Sequence, residues 1–268
     1  MTSTASGPDA LADFTHGTFA HDGLTRTVYA AGSGPAVIVI HEVPGITPRV
    51  ADFARRLVAA GFSVRMPSLF GTPGRAPSTG YILSSIGRAC VAREFTAFAL
   101  DRTNPVIGWL RALAAEAHAE CGGPGVGAVG MCFTGGFALG MMVDDRMLAP
   151  VLSQPSLPFP VSGARRAAPG ISDADLARVK ERAAAGQCVM GLRFTEDAAV
   201  PASRFETLRR ELGDRFLAVE IDSSPDNPHG IRRGAHSVLT EDLVDEPGHP
   251  TRDALDGVLA FFRERLLP

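Results

Sequence analysis

Cys132 lies in the run Gly130-Met131-Cys132-Phe133-Thr134-Gly135-Gly136, after the apolar stretch Val126–Gly130 and before the small, apolar stretch Gly135–Val143. Read as strand, sharp turn and helix, this run pushes the residue at the turn out over a sheet edge, where it can act as a nucleophile. Glycine two residues before the cysteine removes a Cβ from a tight crossing. Backbone N–H groups at the start of the helix then face whatever the sulfur attacks, and the same helix end favours a thiolate. Two plainer readings compete. Cys132 could be an ordinary buried cysteine. Alternatively, Val126–Val143, uncharged and carrying Gly136-x-x-x-Gly140, could be a membrane helix. Five glycines within that span suit a turn between two elements better than one continuous helix.

A nucleophile needs a base, and the base needs an orienting group. In chain order the candidates are Cys132, Asp197 and His236, the nucleophile–acid–histidine order of α/β-hydrolases. His236 would take the thiol proton, and Asp197 would hold the imidazole in the productive tautomer. The N–H groups of Val43 and Phe133 would stabilise the oxyanion. Glu196 is the alternative acid, and His229 and His249 share the region of His236 between the last strand and the last helix. Glu42, at the end of another strand, is a further carboxylate within reach of such a site.

The elements around these residues read as alternating strands and helices. Phe14–Ala20 and Leu24–Ala30 form an N-terminal hairpin with His16 and His21 at the surface. Ala36–Ile40 is a continuous β-branched run, so a strand covered on both faces. Pro48–Ala60 carries a helical stripe at Val50, Phe53, Leu57 and Val58, and Phe62–Met66 is the next strand. Pro67–Gly87 reads as a long loop, Ala89–Ala99 as a helix, and Pro105–Cys121 as an amphipathic helix anchored by Trp109. After the cysteine come the strand Ala149–Leu152, a Pro-rich loop over Gln154–Gly170, and a helix over Asp173–Ala185 capped by Ser172. The strand Cys188–Phe194, the helix Pro201–Leu212, the strand Phe216–Ile221 and a closing helix Thr251–Leu267 complete the chain. Such alternation predicts a mostly parallel sheet with helices on both faces, and ligands bind at the carboxyl ends of its strands. The expected domain is a single one spanning 1–268, with 1–11 a flexible tail and 154–185 an insertion over the pocket. The loops 67–87 and 154–170 are expected to shape that pocket.

Net charge of −3 with acids and bases mixed along the chain argues against nucleic acid or an anionic membrane as the main partner. The N-terminus has no basic segment followed by an apolar one, so no secretory signal is expected. The four cysteines, Cys90, Cys121, Cys132 and Cys188, show neither C-x-x-C pairing nor zinc spacing. No metal or cofactor is expected, and a reducing cytoplasm is the simplest setting.

Four segments together resemble the dienelactone hydrolase family, cysteine-dependent members of the α/β-hydrolase fold. They are His41-Glu42-Val43-Pro44-Gly45, Gly130-Met131-Cys132-Phe133-Thr134-Gly135, Asp197-Ala198-Ala199-Val200-Pro201 and Gly234-Ala235-His236-Ser237. The resemblance implies a Cys132–His236–Asp197 triad and a Glu42 that touches the resting cysteine and helps to activate it. It departs from the family's pattern at several positions. His41 stands where glutamine is common. Thr134 replaces a glycine and should push the helix slightly off the strand. Thr240 occupies the place of one of two arginines that bind a substrate carboxylate, and Arg93 is the candidate for the other. The 154–185 insertion also looks longer than usual. The expected activity is hydrolysis of a small-molecule ester or lactone through an acyl-cysteine, with a carboxylate on the substrate if Arg93 binds one. The competing class is a non-catalytic binder or thiol sensor that keeps the fold.

Overall fold

The computed structural model describes residues 10–91, 95 and 103–267. Eight strands form one sheet in the order β1-β2-β4-β3-β5-β6-β7-β8. β1 (Thr15–His21) and β2 (Leu24–Ala31) are the expected hairpin, and β2 pairs antiparallel with β4 (Ser63–Pro67). From β4 onward all pairings are parallel, through β3 (Ala36–Ile40), β5 (Val126–Met131), β6 (Met147–Ser153), β7 (Val189–Phe194) and β8 (Phe216–Ile221). This is an α/β-hydrolase fold.

Strand periodicity divides the core. In β3, Val37 and Val39 face one packed layer, while Ile38 and Ile40 face the other. The first layer is closed by α1 (Pro48–Ala59) and α8 (Pro250–Leu266), through Phe53, Leu57, Val258 and Phe262. The second is closed by α3 (Val106–Cys121), the short α4 (Phe137–Met141), α6 (Asp173–Ala184) and α7 (Ala202–Leu212). Trp109 is a core anchor, 1% exposed, with its Nε1–H donating to Leu24 O.

Several expectations change in detail. Leu11 is not part of a loose tail: it is buried, and Arg55 donates to the Ala10 carbonyl beside it. The stretch 67–87 is not wholly irregular, because α2 (Thr79–Val91) begins inside it. Its buried stripe, Tyr81, Ser85 and Ala89, has helical spacing, but Gly80, Ser84 and Gly87 hide that period in the sequence. The expected helix Ala89–Ala99 overlaps α2 only at its start, and most of it lies outside the described residues. Val126–Val143 is the expected strand, turn and helix, with β5 followed by a 3-10 turn over Cys132–Thr134, but α4 is shorter than the expected Gly135–Val143. Within 154–170 the structure adds a short helix, α5 (Gly163–Ala167). Among the described residues, no helix is long and apolar enough to cross a membrane.

Candidate active site

β5 ends at Met131, and Cys132 turns the chain with φ 53°, a left-handed value that a residue with a Cβ adopts only under constraint. The constraint comes from close packing. A Cβ on Gly130 would lie 2.2 Å from Thr134 O, and one on Gly135 would lie 2.5 Å from Pro155 Cα. Thr134, standing in place of a family glycine, is fully buried in this turn. Its buried hydroxyl donates toward Ile40 O at 2.9 Å and accepts from Met131 N at 3.1 Å, tying the turn to the end of β3. Phe133 is fixed by neighbouring rings, with centroids of Phe70, Phe95 and Phe159 at 5.7, 5.5 and 6.1 Å.

The end of β7 supplies Asp197 and the segment after β8 supplies His236. His236 Nδ1 lies 2.6 Å from Asp197 Oδ2. Asp197 is 8% exposed, and its Oδ1 accepts from Ala199 N. The imidazole also interacts with the Cys132 sulfur. Burial works against a charged ring. The Cys132 sulfur and the Asp197 carboxylate outweigh it, and the His236 pKa stands well above its ordinary value. Ser156 is a further neighbour, with Oγ 3.8 Å from Cys132 Sγ and its N–H donating to Cys132 O.

Glu42 is brought to the same place but not onto the cysteine. Its Oε2 accepts from Ser237 Oγ at 2.6 Å and from Gln154 Nε2 at 3.3 Å, and its Oε1 accepts from Thr240 Oγ1. The contact with the resting sulfur implied by the resemblance is therefore replaced by three polar partners. Thr240, at the place of an arginine in the family's pattern, is one of them. Burial raises the Glu42 pKa, and the two hydroxyls oppose that shift. Next to it, His41 accepts from Leu69 N through Nε2, so Nδ1 carries the proton and donates to Glu42 O at 2.9 Å. Burial lowers the His41 pKa to about 4, keeping the ring neutral.

One cavity of about 800 Å³ gathers Glu42, Val43, Cys132, Phe133, Asp197 and His236 in its wall. The alternative acid and histidines have other partners. Glu196 lines the cavity but pairs with Arg233 at 3.2 Å, while His229 and His249 meet edge to face with ring centroids 5.5 Å apart. Arg93 lies outside the described residues.

Several residues that hold this site together carry no motif. Asp242 accepts from His236 N at 2.7 Å and Ser237 N at 3.0 Å through Oδ2, and from Arg232 through Oδ1. Arg204, wholly buried in α7, donates to the carbonyls of Pro155, Pro158, Arg165 and Ala168, so it clamps the loop that carries Ser156. Burial lowers its pKa to about 10. Only the apolar neighbourhood of Arg204 in an otherwise amphipathic helix hinted at its burial.

Comparison with known proteins agrees with this architecture. The family model of the dienelactone hydrolase family matches residues 22–266. A Klebsiella pneumoniae structure assigned to the dienelactone hydrolases superposes with a TM-score of 0.63 at 18% identity, covering 94% of this chain and 99% of that one. A dienelactone hydrolase-like promiscuous phosphotriesterase from metagenomic libraries gives 0.62 at 17%, covering 94% and 98%. The dienelactone hydrolase of Anabaena variabilis gives 0.59 at 15%, covering 94% and 98%. By sequence, the hydrolase fragment YghX of Escherichia coli K12 is 35% identical over 54 residues, which are 20% of this chain and 46% of that relative. Structural likeness at such low identity speaks for the fold. The family match spans nearly the whole sequence, and on it the chain belongs to the dienelactone hydrolase family, whose members are hydrolases of small molecules.

Proposed function

We propose that this hydrolase cleaves a carboxylic ester or lactone by way of an acyl-cysteine. The observation that carries the reading is the Asp197–His236 contact of 2.6 Å with the Cys132 sulfur beside the same imidazole, all opening on one cavity. The Cys132 sulfur attacks the carbonyl carbon, forming a C–S bond and placing negative charge on the carbonyl oxygen. The N–H groups of Val43 and Phe133 receive that charge. The His236 imidazolium passes its proton to the leaving oxygen as the C–O bond breaks, and Asp197 keeps the ring oriented. Water then adds to the thioester, giving one proton to His236. The C–S bond breaks, and the acid product departs. Glu42 acts here as a fixed polar strut between the segments after β3 and β8. The chemistry needs only a free thiol, which suits a reducing cytoplasm.

Incubation with an activated ester tests the reading. Many turnovers by the native protein and none by Cys132→Ala are expected. Reaction of a single equivalent, with no further turnover, would instead identify a thiol sensor.

A further inference from the structure

We infer that the substrate is an ester with an apolar acyl chain and a polar alcohol, the chain lying against α2 and the alcohol leaving past His236. This rests on the hydrolase reading of Cys132 and His236 and adds which half of the substrate lies where. Cys132 follows β5, at the middle of the sheet order. From one side, the segments after β3 and β4 bring Val43, Pro44, Pro77, Ile82 and Ile86 to the cavity. Ile82 and Ile86 are one helical turn apart, so they share a face of α2. Both are apolar yet only partly covered by the protein. From the other side, the segments after β7 and β8 bring the charged Glu196, Arg232, Arg233, Glu241 and Asp242, with Phe159 after β6 and Ala199 after β7 as apolar neighbours in the same wall. Glu42 comes from the apolar side, but its carboxylate is turned to Ser237 and Thr240 after β8.

The chemistry decides which half of an ester meets which wall. In the tetrahedral intermediate the carbonyl carbon carries sulfur, the oxyanion, the leaving oxygen and the acyl chain. The general acid must sit next to the leaving oxygen, so the alcohol lies on the His236 side. With the oxyanion at the Val43 and Phe133 amides, the acyl chain is left the direction of α2. On that side, none of the described residues that line the cavity is a cation. On the alcohol side, Arg233 pairs with Glu196 and Arg232 with Asp242, so donors and acceptors of both signs await hydroxyl groups.

Two neutral, isomeric esters separate the two orientations. Mono-octanoylglycerol has an apolar acyl chain and a polar alcohol, and octyl glycerate has the reverse. Measured below their micelle concentrations on the native protein, kcat/KM is expected to be at least about tenfold higher for mono-octanoylglycerol, since each buried methylene is worth about fourfold. In Ile86→Asp the ratio of octanoyl-ester to acetyl-ester kcat/KM is expected to fall about tenfold. Equal or faster hydrolysis of octyl glycerate would overturn the assignment while leaving the Cys132 reading intact. An unchanged chain-length ratio in Ile86→Asp would overturn the α2 wall. Turnover that survives Cys132→Ala would overturn both the site and the orientation built on it.

Discussion

At the His236 ring, burial competes with two negative neighbours, and the neighbours win. A pKa raised in the folded state means that the folded protein holds the proton more tightly than the unfolded chain does. The stability this provides is therefore full below about pH 6.5 and fades as pH rises through the raised value. Ester turnover should fall over the same alkaline range, because the leaving oxygen loses its acid. Imidazole NMR should show His236 titrating at lower pH in both Cys132→Ala and Asp197→Asn, and an unmoved titration in both would contradict this electrostatic account. Glu42 has the opposite consequence for stability at neutral pH. Its carboxyl pKa is raised by burial, so its favourable contribution is full below the ordinary glutamate range near about 4.3 and is lost as pH rises through the folded value. Glu42→Gln should accordingly gain stability over the native protein between pH 4 and pH 8, measured by urea denaturation. Ser237 Oγ and Thr240 Oγ1 can each rotate to serve the amide that replaces the carboxylate. That Cys132, Asp197 and His236 meet at one cavity was readable, because each follows a strand and strand ends share one rim of the sheet. The partners of Glu42 were not, because Ser237 and Thr240 lie 195 and 198 residues away and Gln154 lies 112. No local pattern encodes a hydrogen bond over that distance.

At the scale of elements, two clamps hold segments that lack regular structure. Asp242 gathers the backbone amides of His236 and Ser237 at one carboxylate oxygen and Arg232 at the other. Hydrogen bonds to a charged group are worth about 1.5–3 kcal/mol each, enough to fix the histidine's register. Asp242→Ala should lower kcat at least about tenfold, since it releases the backbone that positions the His236 ring. An unaltered kcat would remove Asp242 from the positioning of His236. Arg204 does the same for the loop after β6, meeting four carbonyls with its guanidinium. Arg204→Ala leaves those acceptors unpaired, and at about 1–3 kcal/mol for each buried group the loss should exceed about 2 kcal/mol in denaturant unfolding. Arg204→Lys should recover only part of it, because one ammonium cannot reach four acceptors in a plane. Helices with an apolar stripe, such as α1 and α8, were legible to within a residue or so. α2 was not, because glycine and serine interrupt its stripe and tertiary packing alone makes it a helix. The helix after Cys132 was expected to be longer than α4 for a related reason. A run of small apolar residues carries no stop signal.

Across the whole molecule, one sheet brings residues from opposite ends of the chain to a single edge. β3 and β5 are neighbours although α1, β4, α2 and α3 separate them in sequence, and their ends supply Glu42, Val43, Cys132 and Phe133. The segments after β7 and β8 supply Asp197 and His236 from the other half. Alternating strands and helices made this parallel arrangement legible, since few topologies fit that pattern. What the pattern could not give was the cavity itself, whose walls come from α2 and from loops clamped by single residues. The central claim is that the Cys132 sulfur carries the acyl group during turnover, and mass spectrometry of intact protein quenched in mid-reaction with an ester tests it most directly. The account predicts an adduct of the acyl mass located on Cys132, disappearing as substrate is exhausted. Steady turnover with no adduct on Cys132, and equal turnover by Cys132→Ala, would contradict it.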